Sequence, residues 1–244
     1  MNKNSNSYQI IYAAVMVVLV GALLAFIYMA LKPRQDENIA NDKRQQILTA
    51  INITSSPQTL KDDFAKYVVA QYLVDDNGLI ADSAQNVAFN VDMKSNVKQE
   101  KRSLPVYKCV LADNSVKYIL PIYGAGLWGP IWGYVAVDAD GSTIFGTSFS
   151  HESETPGLGA RITEDGFRAQ FVGKRLVKEG AFRSVEVVKR GQKSLTGADY
   201  VDAISGATIT SRGVGTMMLD CLKFYEPFLK KLADSNQPLN GKED

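Results

Sequence analysis

The hydrophobic pattern separates an apolar N-terminal segment from a longer region of mixed character. No charged residue occurs from Asn4 to Leu31, and Gln9–Leu31 is almost wholly apolar. As a helix, that run is long enough to cross a hydrocarbon core of about 30 Å. A cleaved signal peptide would have a shorter apolar region ending at a small-residue cleavage site, whereas this run ends at Lys32-Pro33-Arg34. We therefore predict a transmembrane helix over 9–31, preceded by a tail at 1–8.

Downstream of this segment, helical and strand-like periodicities succeed one another. Apolar residues recur at helical spacing in Gln35–Ile53, Leu60–Leu73 and a segment that begins near Ser211, and a further helix is expected at Phe167–Val177. Short runs rich in β-branched and aromatic residues predict strands at Val87–Val91, Val106–Leu111, Val116–Ile122, Ile131–Val137, Thr143–Phe149 and Val185–Val188. Since the strands cluster in the middle, we predict an α+β fold with a central, mainly antiparallel sheet flanked by helices.

The same pattern sets the domain boundaries that we expect. Pro57 ends the helical stretch that follows the membrane segment, which defines a helical linker at 32–57. One globular domain is expected at 58–234, an ordinary length for a single hydrophobic core. A polar tail at 235–244 completes the chain.

Charge and composition exclude several classes of function. The chain carries 27 basic and 26 acidic side chains, so it lacks the basic excess of a nucleic-acid-binding surface. Its single histidine, His151, and its two well-separated cysteines, Cys109 and Cys221, form no pattern that ligates a metal. We expect no nucleic-acid partner and no metal site, and a disulfide between the cysteines stays open.

A cluster of hydroxyl side chains precedes the last predicted helix. The segment Asp202–Ser211 reads D-A-I-S-G-A-T-I-T-S, and apolar residues at helical spacing follow it. Thr210 or Ser211 is therefore expected to be the N-cap of that helix. A helix N-terminus has unpaired N–H groups and partial positive charge, which suit a phosphate. The residues alone thus indicate a phosphate-bearing ligand without identifying it.

Three motifs in this order resemble those of a known family. Ser205-Gly206-Ala207-Thr208, with Asp202 three positions upstream, resembles the motif that receives FMN covalently through a phosphoester to threonine. His151–Gly159 is similar to the H-x-E-T-P-G-L-G segment of the same FMN-binding domain, with Ser153 as one extra residue, and Gly126–Tyr134 is a third match. Together with one N-terminal membrane helix, these motifs resemble the C subunits of sodium-translocating NADH:quinone reductases.

The resemblance implies an electron-transfer protein that carries FMN on Thr208, with Thr210 as a chemically able alternative. A separate flavin transferase attaches the group in this family, and Asp202 and Gly206 resemble parts of its recognition sequence. Gly124–Gly129 matches G-x-G-x-x-G, but a predicted strand follows it. The nucleotide-binding fingerprint opens a helix after a strand, so NADH is expected to bind another subunit of the complex. The positions expected to contact the cofactor are Ser205, Gly206, Ala207, Thr210, Thr155, Gly157, Leu158, Gly159 and Trp128.

Alternative interpretations stay open at this level. The chain also resembles the G subunit of the Rnf electron-transport complex, which shares S-G-A-T, and a membrane-anchored binding domain without redox function is a third alternative. His151 and Glu154 are either a proton-transfer pair or a solvated loop pair. The basic residues Lys189, Arg190 and Lys193 either hold the phosphate or form a solvated face.

The two arguments about membrane orientation disagree. Lys3 precedes the apolar segment, whereas Lys32, Arg34, Lys43 and Arg44 follow it. The positive-inside rule therefore predicts a cytoplasmic domain, although the rule is weak for long translocated domains. The resemblance implies a domain on the periplasmic side of a bacterial inner membrane, and this is the orientation that we expect.

Overall fold

The structure, a computed structural model, describes residues 6–236, so parts of both predicted tails lie outside the described residues. It begins with helix α1, Asn6–Ala50, which contains Pro33. This helix is the one described helix long and apolar enough to cross a membrane, judged by length and composition. The predicted transmembrane helix and the helical part of the predicted linker are thus one continuous helix.

The chain forms two compact units, and the boundary between them along the sequence lies between Lys43 and Arg44. In the second unit, the other helices are α2 (Leu60–Tyr67), α3 (Met93–Asn96), α4 (Asp165–Arg168), α5 (Thr208–Leu222) and α6 (Glu226–Asn236). The strands are β1 (Val68–Val74), β2 (Ile80–Asp82), β3 (Leu104–Val110), β4 (Val116–Ala125), β5 (Pro130–Asp138), β6 (Ile144–His151), β7 (Val177–Lys178), β8 (Ala181–Phe182), β9 (Val185–Val188) and β10 (Asp199–Asp202).

A six-stranded sheet organises the second unit. Its strand order is β2-β1-β3-β4-β5-β6, and every neighbouring pair is antiparallel. Two small two-stranded sheets accompany it, the parallel pair β9-β10 and the antiparallel pair β7-β8. The predicted α+β class with a mainly antiparallel sheet is therefore confirmed.

A hydrophobic core lies against each face of the large sheet. Alternate residues of a strand point to opposite faces and so contribute to different cores. Along β5, Val135 and Val137 join one core with helix α5, whereas Tyr134 and Ala136 join a second core. The second core also contains residues from the end of α1, the residue that follows it and helix α2: Ile47, Leu48, Ala50, Ile51, Leu60 and Phe64. The end of α1 therefore belongs to the globular unit.

Some predicted elements differ from those observed. The helix predicted over Leu60–Leu73 ends at Tyr67, and the rest is β1. Both structures fit the local pattern, and pairing with β3 decides between them. The strand predicted at Val87–Val91 is a series of turns, and the helix predicted at Phe167–Val177 is replaced by α4, a 3₁₀ turn and β7.

Candidate functional site

Helix α5 begins within the S-G-A-T motif. Its first residue is Thr208 and its N-cap is Ala207, which makes no side-chain capping bond. The predictions of a start near Ser211 and of Thr210 or Ser211 as the N-cap were wrong. Ser211 lies inside the first turn, where its hydroxyl donates to the Ala207 carbonyl at 2.8 Å. Without a side-chain cap, the first N–H groups of α5 are left for another acceptor.

The two candidate threonines lie in different environments. Thr208 is half-buried, and Ile209 beside it is 61% exposed. Thr210 is 1% exposed, and its hydroxyl donates to Glu154 Oε2 at 2.6 Å. Gly206, just before the helix, has a φ of 78°, a conformation that favours glycine. Only Thr208 of the two therefore combines partial exposure with a position at the helix N-terminus.

The carboxylate of Glu154 joins three parts of the chain. Besides the bond from Thr210, its Oε1 accepts the backbone N–H of Trp128 at 2.9 Å. Its own backbone N–H donates to His151 Nδ1 at 3.2 Å. Glu154 is 4% exposed, so the interpretation of a solvated loop pair was wrong for this residue.

The hydrogen bonds of Glu154 keep its carboxyl group ionised. Burial raises the pKa of Glu154, since water no longer solvates the charge. The hydrogen bonds from Thr210, Trp128 and Leu127, with a smaller electrostatic contribution from His151, lower it by more, so the pKa lies below its ordinary value. The site therefore contains a fixed negative charge at neutral pH.

The T-P-G-L-G segment forms a turn beside the S-G-A-T motif. In the Leu158 turn, defined as Thr155–Gly159, the Leu158 N–H donates to the Thr155 carbonyl at 3.1 Å. The Leu158 side chain is 44% exposed, and a Cβ added at Gly206 would lie 3.0 Å from its Cδ2. The fold thus brings the two motifs into contact, as the prediction of a shared site requires.

The third motif forms the neighbouring Trp128 loop, defined as Gly126–Gly129. Its ends are joined by a hydrogen bond from the Gly126 N–H to the Gly129 carbonyl at 2.8 Å. The Trp128 carbonyl accepts the Ser153 hydroxyl at 3.1 Å, and the indole is 67% exposed. Trp132, in β5, donates its indole N–H to Gln46 at 2.9 Å.

The other residues singled out from the sequence take no part in the hydrogen bonds of Glu154. Lys189, Arg190 and Lys193 are exposed. Of these, Arg190 lines a groove of about 310 Å³ together with Asp202 and Ser205, which precede Thr208. The described cysteines are both free and buried. Among residues 6–236, no three histidine, cysteine, aspartate or glutamate side chains converge as metal ligands.

Two features of the site were not found by sequence reasoning. Leu127 and Ile209, which neighbour Trp128 and Thr208 along the chain, are large, exposed apolar side chains. Glu154 was noticed but its burial was missed. The small residues Gly126 and Gly159, which surround its carboxylate in space, were the signal available, but they belong to different motifs.

Comparison with known proteins identifies the family to which these motifs belong. The profile of the FMN-binding domain family matches residues 126–223, which include all three motifs. The C subunit of the Na(+)-translocating NADH-quinone reductase of Vibrio vulnificus is 32% identical over 224 residues, covering 84% of this chain and 87% of that protein. The corresponding Yersinia pestis protein is 29% identical over 96% of this chain and 95% of its own length.

Crystal structures of two C subunits of this reductase have a fold similar to that of this chain. The crystal structure from Parabacteroides distasonis is 44% identical, has a TM-score of 0.75, and covers 82% of this chain and 96% of its own. The structure from Shewanella oneidensis is 29% identical with a TM-score of 0.66, covering 81% and 99%.

The fold and site define a protein with an N-terminal apolar helix and an FMN-binding domain. More particularly, the chain belongs to the family of the C subunits of Na(+)-translocating NADH-quinone reductases. As a subunit of such an oxidoreductase, the chain has the other subunits of the complex as its partners.

Proposed function

We propose that this chain transfers electrons within the reductase through an FMN joined by a phosphoester to Thr208. The observation that carries the proposal is the position of Thr208, half-buried at the uncapped start of α5 and one residue beyond Ala207 of S-G-A-T. Thr210 is a poorer acceptor of the group, because its hydroxyl is buried and already bonded to Glu154.

The residues present fit such a group. The N–H groups of the first turn of α5 point outward along the helix axis, and they would bind the phosphate with help from the helix dipole. Leu158 provides exposed apolar surface beside Gly206, and Trp128 provides more on the loop that Glu154 joins to α5. These side chains would pack against the flat ring and exclude water from it. When bound, FMN supplies reversible electron transfer, and the protein tunes it through these contacts.

Attachment requires a partner enzyme. The Thr208 hydroxyl would lose its proton and form an O–P bond to the FMN phosphate, while the donor's leaving group departs from phosphorus. Nothing in the described site suggests that the chain performs this step on itself, so we assign it to a flavin transferase. Asp202, Ser205 and Gly206, which precede Thr208 and are at least partly exposed, are available for recognition by that enzyme.

In-gel fluorescence tests the attachment. The chain is produced together with a flavin transferase. Its flavin fluorescence is recorded after denaturing electrophoresis, and its intact mass is measured by mass spectrometry. We expect fluorescence and the added mass of one FMN less one water in the wild type, and neither in Thr208→Ala. Thr216→Ala removes an exposed hydroxyl from the same helix and should keep both signals.

Two results would contradict the assignment. Fluorescence that persists in Thr208→Ala but disappears in Thr210→Ala would move the attachment point by two residues. A wild type without covalent flavin would instead favour a membrane-anchored binding domain in which S-G-A-T only begins a helix.

We also propose that the second unit lies on the periplasmic side of a bacterial inner membrane. Leu195 is 99% exposed, so a cysteine placed there would react freely. The native thiols would contribute little background, because Cys109 and Cys221 are buried and burial raises the pKa of Cys109 to about 12. An impermeant maleimide should label Leu195→Cys in intact spheroplasts. Labelling only after lysis would place the unit in the cytoplasm.

A further inference from the structure

The Glu154 carboxylate occupies the point where the three motif segments meet. Its two oxygens accept hydrogen bonds from the Trp128 loop and from the first turn of α5. Its backbone leads directly into the Leu158 turn, which begins at Thr155. Three segments distant in sequence are therefore joined through one buried charged group.

The surrounding backbone leaves room for that carboxylate. A Cβ added at Gly126 would overlap Glu154 Oε1, and a Cβ added at Gly159 would overlap Oε2. The second added Cβ would also lie 2.8 Å from the Thr210 hydroxyl oxygen. Glycines in two different loops thus admit the same side chain, so the local backbone is built around it.

The residues joined in this way depend on the carboxylate for their placement. The Trp128 and Leu158 side chains are both exposed, so packing against the core contributes little to holding either one. A buried hydrogen bond to an ionised group is strong and directional, and removal of one partner leaves the other unsatisfied. The backbone of Trp128 is thus joined to α5 through Glu154, and the Leu158 turn follows Glu154 directly along the chain.

We propose that Glu154 is a positioning residue for the flavin, holding the Trp128 loop and the Leu158 turn in one geometry relative to Thr208. This inference rests on the proposed function, since it presumes a ring docked against these two residues. Glu154 itself is buried beneath the site. It acts through Trp128, Leu158 and the start of α5.

The test compares two variants with a matched control in the flavinylated full-length protein. Glu154→Ala removes the carboxylate, and Glu154→Gln keeps its shape and one acceptor oxygen. Glu152→Ala removes an exposed glutamate of the same segment. The measurements are the fluorescence anisotropy and visible absorption spectrum of the bound flavin, which a change in global stability does not alter while the protein stays folded.

We expect Glu154→Ala to lose anisotropy and to shift the spectrum towards that of free flavin. Glu154→Gln should recover much of both signals, and Glu152→Ala should match the wild type. Loss of flavin attachment in a folded Glu154→Ala protein would also support the proposal, because Thr208 would no longer be presented correctly. Wild-type anisotropy and spectrum in Glu154→Ala would overturn it.

A second pair of variants applies if Glu154→Ala does not fold. Thr210→Val removes the donor to Glu154 Oε2, and Thr210→Ser retains it. Lower flavin anisotropy in the valine variant alone would support the proposal, and equal values would overturn it. A wild type that carries no covalent flavin would instead refute the proposed function, and this inference with it.

Discussion

The hydrogen bond between Thr210 and Glu154 allows a quantitative prediction about stability. Thr210→Val keeps the shape of a side chain that is 1% exposed but removes the donor 2.6 Å from Glu154 Oε2. A hydrogen bond to a charged group contributes about 1.5–3 kcal/mol to the free energy of unfolding. For a domain of this size, each kcal/mol shifts the melting temperature by about 2–4 °C. We therefore expect a decrease of about 3–12 °C, measured by circular dichroism on the flavin-free protein.

Thr210→Ser is the matched control for this prediction. It keeps the hydroxyl and removes one buried methyl group, at a cost of about 1 kcal/mol. The valine variant should consequently be the less stable of the two. A valine variant as stable as the serine variant would refute the assigned strength of this hydrogen bond.

The same pair predicts a difference in pH dependence. The folded-state pKa of Glu154 lies below its ordinary value near 4.5. Its ionised form therefore contributes stability that is fully present above that pH and is lost as pH falls through the folded-state pKa. Thr210→Val raises the folded-state pKa, so the wild type should lose more stability on acidification than the variant does. An equal fall in melting temperature on acidification for the wild type and the variant would count against this linkage.

Two further predictions concern the site and the domain boundary. Leu158→Asp should make the reduction potential of the flavin more negative while the flavin stays attached. The shift is about 59 mV for a one-electron step if the added charge acts with about 1.4 kcal/mol. Leu195→Asp is the exposed control, and an unchanged spectrum and potential in Leu158→Asp would place the ring elsewhere. A fragment beginning at Gln35 should unfold cooperatively. One beginning at Asn52 should be much less stable, because it lacks the buried Ile47, Leu48 and Ile51, and equal stability would show that the end of α1 is dispensable.

The central strands β3, β4 and β5 were predictable because their apolar signal is strong. Residues on both faces of β3, β4 and β5 are buried, so these segments appear as dense β-branched and aromatic runs. The boundary between α2 and β1 was not predictable, since Leu60, Phe64 and Val68 also fit a helical spacing. Hydrogen bonding of β1 to β3, residues distant in sequence, determines where that helix ends.

The candidate site shows the same division. Local sequence alone indicated an apolar N-terminal helix, a hydroxyl cluster at a helix start and a glycine-containing turn, because each depends on residues close along the chain. Only the tertiary structure decided that Thr210 is buried, that Leu158 lies against Gly206, and that Glu154 is enclosed between the Trp128 loop and α5. The physical reason is that burial and hydrogen bonding between distant segments depend on how the sheet and α5 pack together.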